Sequence, residues 1–197
     1  METGSDYFSI FGLPRKLVLN SADLEARFHQ LSWKLHPDNF AGANEAEREL
    51  SLRRSSQLND AYRALRDPLS RVEYFLALAG MRKEGQQKQQ APPELLEEVF
   101  ELNESLDELR GARRGGEQAE MASLGKRLQA ARENFREKLG EVDRGLEKLF
   151  AEWDRALDAG SDEATQRKLM ERMNEALNRR SYIRNLVESV EKELTEA

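Results

Sequence analysis

Residues 33–40 read "WKLHPDNF", and they set an imidazole, a proline and a carboxylate side by side at His36, Pro37 and Asp38. Proline lacks a backbone donor and biases the residue before it away from the helical region, so a helix arriving here ends at His36. Asp38 and Asn39 are turn formers. Two readings are open. In one, the tripeptide is a helix stop with a turn behind it and His36 is incidental. In the other, a rigid exposed loop presents a charge-assisted hydrogen bond to a cationic partner without having to reorder first. Little else in the chain could carry chemistry. Its two histidines, His29 and His36, have no metal-ligand pattern around them. The absence of cysteine excludes a disulfide framework, thiol catalysis and thiolate ligation of zinc or iron–sulfur clusters. The glycines of "RRGGEQ" and "AGSDEA" punctuate helices and form no phosphate-cradling loop. The sequence reads as that of a binding protein with no cofactor and no bound metal, not of an enzyme.

The elements that must position this tripeptide follow from composition and period. The chain has 197 residues, enough for one domain or two small ones, with 35% charged residues and a mean hydropathy of −0.79. No apolar run approaches the ~20 residues of a membrane span. The start, "METGSDYFSIFGLP", lacks the features of a secretion signal, so a cytoplasmic protein with no membrane partner is expected. Residues 1–80 hold 10 basic and 11 acidic side chains, and residues 81–197 hold 21 and 26. Neither half has the basic stripe of a nucleic-acid binder, and the acidic second half points to a partner with basic residues. Few prolines, few aromatics and many Glu, Leu, Ala, Arg and Lys imply an all-α fold.

Asn20 and Ser21 are cap candidates for a helix entered at Ala22 and Asp23, whose Leu24, Phe28, Leu31 and Leu35 share one face. A second helix is expected from about Glu45 to Leu65, burying Leu50, Leu58, Ala61, Tyr62 and Leu65. Asp67-Pro68 reads as an N-cap with proline at the first helical position, opening a third helix that stops at Gly80. "DYFSIFGLP" is a short apolar piece with no use unless packed onto the others. Residues 81–93, without apolar period and ending in two prolines, read as a linker between a domain at 1–80 and another at 94–197.

The second domain carries three helical runs, from Glu94 to about Arg110, from about Gln118 to Leu157, and from after "AGSD" through Leu194. Stripes this long predict an antiparallel three-helix bundle. In its first helix Leu95, Val99, Leu102, Leu106 and Leu109 supply a core stripe. Leu96 and Phe100 are left over, one position round, among Glu97, Glu101, Glu104 and Glu108. Such a pair is either a wider core face or a partner site, since exposed apolar patches rimmed by charge often mark one.

"DYFSIFGLP", "FHQLSWKLHPDNF" and "SQLNDAYRALRDPLSRVEYFLALAG" resemble, in order and spacing, the J-domain of the HscB family of iron–sulfur co-chaperones, with "LRDPLSRVEYFL" as its specific segment. The resemblance implies an N-terminal J-domain, with its HPD loop in a helical hairpin, linked to a C-terminal three-helix bundle. It implies that His36, Pro37, Asp38 and Asn39, with Arg27 and Lys34 on the preceding helix, meet a DnaK-type chaperone (HscA type) and trigger its ATPase. Asp38 would pair there with an arginine of that chaperone. It further implies that Leu96, Phe100, Glu101, Glu104, Glu108 and Tyr182 bind the IscU-type cluster scaffold. Asn39 stands where many J-domains have lysine, which implies a dedicated chaperone rather than a general one. Glu97 replaces an apolar residue of the family's patch. Eukaryotic members carry a cysteine-rich zinc module, so this chain resembles the bacterial form. A J-protein for another client, and a helical adaptor with a vestigial HPD, are the alternatives.

Overall fold

The computed structural model describes residues 6–40, 42–82 and 92–195; most of the expected linker lies outside the described residues. All regular structure among them is helical. The elements are α1 (Tyr7–Ile10), α2 (Ser21–Lys34), a 3-10 turn (Pro37–Phe40), α3 (Glu45–Arg66), α4 (Pro68–Leu78), a 3-10 turn (Pro93–Leu95), α5 (Leu96–Gly115), α6 (Gln118–Asp158) and α7 (Glu163–Thr195). The all-α expectation holds. The chain divides into two compact units, one of Met1–Glu84 with Phe150–Glu171, the other of Gly85–Leu149 with Arg172–Ala197.

In the first unit each helix begins where a short polar side chain can accept from orphan N–H groups. Asn20 accepts from Ala22 and Asp23 at 2.9 and 3.2 Å. Asn44 and Glu47 form a reciprocal capping box at α3, and Asp67 accepts from Ser70 at 2.7 Å to open α4. Partial burial pushes the Asp67 carboxyl up, but the donated bonds from Ser70 outweigh it and hold the group below its usual range. α3 packs against α1, α2 and α4. Phe8, Phe11, Leu17, Leu24, Leu58, Ala61, Leu65, Val72, Phe75 and Leu76 are buried in this unit. Leu50 corrects the sequence reading, for it is 47% exposed while Ser51 beside it is buried. The inward face of α3 therefore runs through 51, 58, 61 and 65.

Residues 150–171, the turn of the α6/α7 hairpin with its flanks, complete this unit. The Trp153 indole packs on Phe75 with ring centres 4.6 Å apart and donates to the Arg15 carbonyl at 2.9 Å. One Asp154 carboxylate oxygen accepts from the Leu17 N–H at 2.7 Å, the other from the Val18 N–H at 3.0 Å. From α4, the buried guanidinium of Arg71 donates to the carbonyls of Leu17 and Leu65 at 2.6 and 2.7 Å. Both backbone groups of the buried Leu17 are thus held by charged side chains.

The second unit is a three-helix bundle whose directions can be read from its ion pairs. Glu98–Lys138 and Glu108–Arg127 set α5 against α6 in opposite senses, and Asp143–Arg180 with Arg136–Glu191 does the same for α6 and α7. Leu95, Leu102, Leu106, Leu109, Leu128, Phe135, Ile183 and Val190 form its core. Val187 is buried as well. α5 runs past Arg110 to Gly115, because Gly111 is tolerated inside it and the left-handed residue that ends it is Gly116, at φ 72°. Near that end Glu193 of α7 accepts from Arg110 at 2.8 Å and from Arg113 at 3.1 Å. The Arg110 hydrogen bond, against opposing burial, holds the Glu193 carboxyl below the usual carboxylate range.

Asp154→Ala is expected to lower the melting temperature. The N–H of buried Leu17 loses its acceptor, a change worth about 1–3 kcal/mol, and Asp154→Asn recovers part of it; thermal denaturation of the three proteins checks this. Glu193→Gln is expected to destabilise at neutral pH. Because the folded-state pKa is depressed, the contribution is present above the unfolded value near 4.5 and disappears as pH falls through the folded one. Melts of wild type and variant should therefore converge in acid below pH 4.5.

Candidate functional site

α2 ends as the proline demands, with Leu35 as its C-cap. Its last carbonyls have no helical donors and are satisfied by the turn that follows. The Trp33 carbonyl accepts from the His36 N–H at 3.3 Å and from the Asn39 side-chain amide at 2.6 Å. The Asn39 N–H donates to the His36 carbonyl at 3.0 Å. From α3, the buried Ser51 hydroxyl donates to the Leu35 carbonyl at 3.0 Å. Below this, Phe28 and Tyr62 stack with ring centres 4.2 Å apart, tying α2 to α3.

On this braced turn His36 and Asp38 both face solvent, and the Asp38 side chain is 88% exposed. The Asp38 N–H donates to His36 Nδ1 at 3.3 Å, which leaves the ring proton of a neutral imidazole on the outward Nε2. The carboxylate lies 3.5 Å from the same Nδ1.

The expected cations on α2 differ in their surroundings. Arg27 donates to Asp23 at 3.0 Å and to the Phe11 carbonyl at 3.0 Å, tying α2 to the end of α1. Lys34, in the last turn, is exposed. Asn39, read from sequence as a departure, braces the turn. Two residues escaped the sequence reading. Ser51 lies seven before Leu58 and fourteen before Leu65, a spacing that could have exposed it as an inward position. Trp33 is 77% exposed.

A second candidate surface lies on α5. Leu95, Val99, Leu102, Leu106 and Leu109 turn inward, whereas Leu96 and Phe100 are 54% and 70% exposed. Glu97, Glu101, Glu104 and Glu108 are exposed on the same helix, Glu108 with Arg127 at 3.4 Å. A groove of about 320 Å³ runs between α5 and α6, with Glu101, Leu102, Ser105, Arg127, Asn134 and Phe135 in its lining. Tyr182, half-buried on α7, packs against the bundle core. Among the described residues, no cluster of three or more acidic or histidine side chains could hold a metal ion, and no helix is long and apolar enough to cross a membrane.

No family model matches the chain. Curated relatives do. It is 36% identical over 165 residues to the co-chaperone protein HscB homolog of Azoarcus sp. (strain BH72), covering 84% of this chain and 86% of that protein. The chain belongs to the HscB co-chaperone family. The HscB homolog of Vibrio parahaemolyticus is 41% identical over 104 residues, a match spanning 53% of this chain and 61% of that relative. Among solved structures, the chaperone HscB from Vibrio cholerae aligns over 95% of this chain and 96% of its own, with a TM-score of 0.54 and 28% identity. The human co-chaperone HscB aligns over 97% and 83%, with a TM-score of 0.59 and 25% identity.

Asn39→Ala is expected to leave global stability within about 0.5 kcal/mol, as an exposed substitution, while loosening the turn. Amide hydrogen exchange at His36 and Asn39 should quicken and exchange in the interior of α3 should not.

Proposed function

We propose that this chain is a co-chaperone of iron–sulfur cluster assembly, which brings an IscU-type scaffold to a dedicated DnaK-type chaperone of the HscA type and stimulates its ATPase. The observation that carries the reading is the exposed Asp38 carboxylate on a cross-braced HPD turn, in a member of the HscB co-chaperone family. Residues 1–80 act as the J-domain, 81–93 as the linker and 94–197 as the scaffold-binding domain, in the cytoplasm.

His36, Pro37, Asp38 and Asn39 contact the chaperone, Asp38 through an arginine that can present two parallel donors to it. Such a pair is weak while solvated and strengthens as docking excludes water. The geometry favours this role because the turn is already ordered by the Trp33 and Leu35 carbonyls, which lowers the entropy cost of binding. Lys34, and Arg27 through its exposed part, add positive charge that steers the approach. No residue of this chain enters the hydrolytic chemistry; the protein is an activator.

The scaffold sits on Leu96 and Phe100, with Glu101, Glu104 and Glu108 meeting its basic residues and Tyr182 at the margin. Burying two such apolar side chains gains about 1.5–3 kcal/mol each. Association costs of 4 kcal/mol or more, as order-of-magnitude figures, offset much of this. Modest affinity results, as suits a carrier that must release its cargo.

The test is single-turnover ATP hydrolysis by the cognate chaperone, with this protein, with scaffold, and with both. Synergy is expected with both. His36→Gln should return the rate to that of the chaperone alone. Phe100→Ala should keep scaffold-independent stimulation while weakening scaffold binding by roughly tenfold to a hundredfold, the range of an interface anchor. Stimulation indifferent to scaffold would point to another client, and no stimulation would leave a helical adaptor.

A further inference from the structure

Trp33 is more exposed than any other large apolar side chain among the described residues, at 77%. α2 turns Leu24 fully inward and Phe28 onto Tyr62, and helical spacing sets position 33 about 180° from Leu24, off that packed face. The indole projects from the last turn of α2, and its main chain is among the most constrained points of the HPD turn. The carbonyl of Trp33 is the shared acceptor for the His36 N–H and the Asn39 side chain. Its position relative to Asp38 is therefore set before any partner arrives. Only two side-chain torsions remain to be ordered, so little freedom is lost when the ring is covered.

We infer that Trp33 is an apolar affinity anchor for the same chaperone surface that Asp38 meets, seated on an apolar shelf beside the chaperone's cation. This rests on the chaperone-docking reading above. Two arguments fix the occupant. Trp33 lies three residues before His36, about 4.5 Å along the helix axis. A specific interface covers about 800 Å² per partner, so a surface that engages Asp38 also covers this turn. The residue type also fits: binding hot spots are enriched in tryptophan, and this one stands exposed five residues from Asp38. The work divides between the two side chains. Asp38 supplies the salt-sensitive contact that triggers hydrolysis, and Trp33 supplies salt-insensitive hold.

The experiment is a titration of chaperone single-turnover hydrolysis with wild type, Trp33→Ala, Trp33→Phe and Asp38→Asn, at low and high salt, with circular dichroism melts of each. Trp33→Ala is expected to melt like wild type and to raise the half-saturating concentration about tenfold or more, with the maximal rate retained and the ratio to wild type unchanged by salt. Trp33→Phe should stay within about threefold, and Asp38→Asn should lose the maximal rate. Wild-type stimulation lost in Asp38→Asn but unaltered in Trp33→Ala would overturn the anchor and leave the docking reading standing. A fall in maximal rate for Trp33→Ala at unchanged half-saturation would overturn it too, by making the residue part of the trigger. Self-association of the wild type, absent in Trp33→Ala with stimulation unchanged, would give the indole to a second copy and overturn the inference. No stimulation by the wild type would remove both readings together.

Discussion

A helix that stops must find donors for its last carbonyls, and the first unit is organised around how α2 does so. Pro37 forces the stop, leaving the carbonyls of Trp33 and Leu35 to be satisfied from outside the helix. Asn39 reaches back to one and Ser51 crosses from α3 to the other. The Asn39 bond fixes the turn, and the Ser51 bond ties the end of α2 to α3. They also leave His36 and Asp38 in water on a backbone with little freedom. Binding geometry here is a by-product of backbone accounting: groups that would otherwise be desolvated without partners become the braces of a recognition loop.

The bundle follows a different constraint. Three long amphipathic helices have enough leucine to close a core with one face each, and α5 carries two large apolar side chains beyond that need. With Leu95, Val99, Leu102, Leu106 and Leu109 already inside, helical geometry turns Leu96 and Phe100 some 100° per residue away from the core. Carboxylates on the adjoining positions keep this apolar pair from extending into a larger patch that would invite self-association. Ion pairs around the bundle are individually weak where exposed; the short connections between its helices make neighbours antiparallel, and the ion pairs fall in step with that. The least exposed of them, Glu193 with Arg110 and Arg113, ties the end of α7 to the end of α5.

Much of this was legible beforehand because it is local. Caps at Asn20 and Asp67, the proline at the start of α4, the stop at Gly80 and the full extent of α6 all follow from rules acting within one or two turns. The split of α5 into a core stripe and an outlying pair followed from period alone. What misled was equally physical. Leu50 was expected inside because it is apolar, but the position facing α2 needs a donor for the Leu35 carbonyl, so the serine next to it is buried instead. Spacing along α2 also gave no sign that the Arg27 guanidinium reaches the Phe11 carbonyl. Trp33 drew no notice, although its place off the face of Leu24, Phe28, Leu31 and Leu35 already turns it outward.

By itself the sequence determined the helices, most of their ends, the HPD turn and the surplus apolar pair on α5, since each rests on spacing and backbone chemistry over a few residues. Only the tertiary structure decided which distant groups complete one another. Nothing near Asp154 indicates that its carboxylate accepts from the backbone of Leu17 and Val18, more than 130 positions away. Nor does composition reveal that residues 150–171 belong with Met1–Glu84. Such bonds form between groups that chain closure and core packing bring together, and a buried N–H takes whichever acceptor the fold delivers to it.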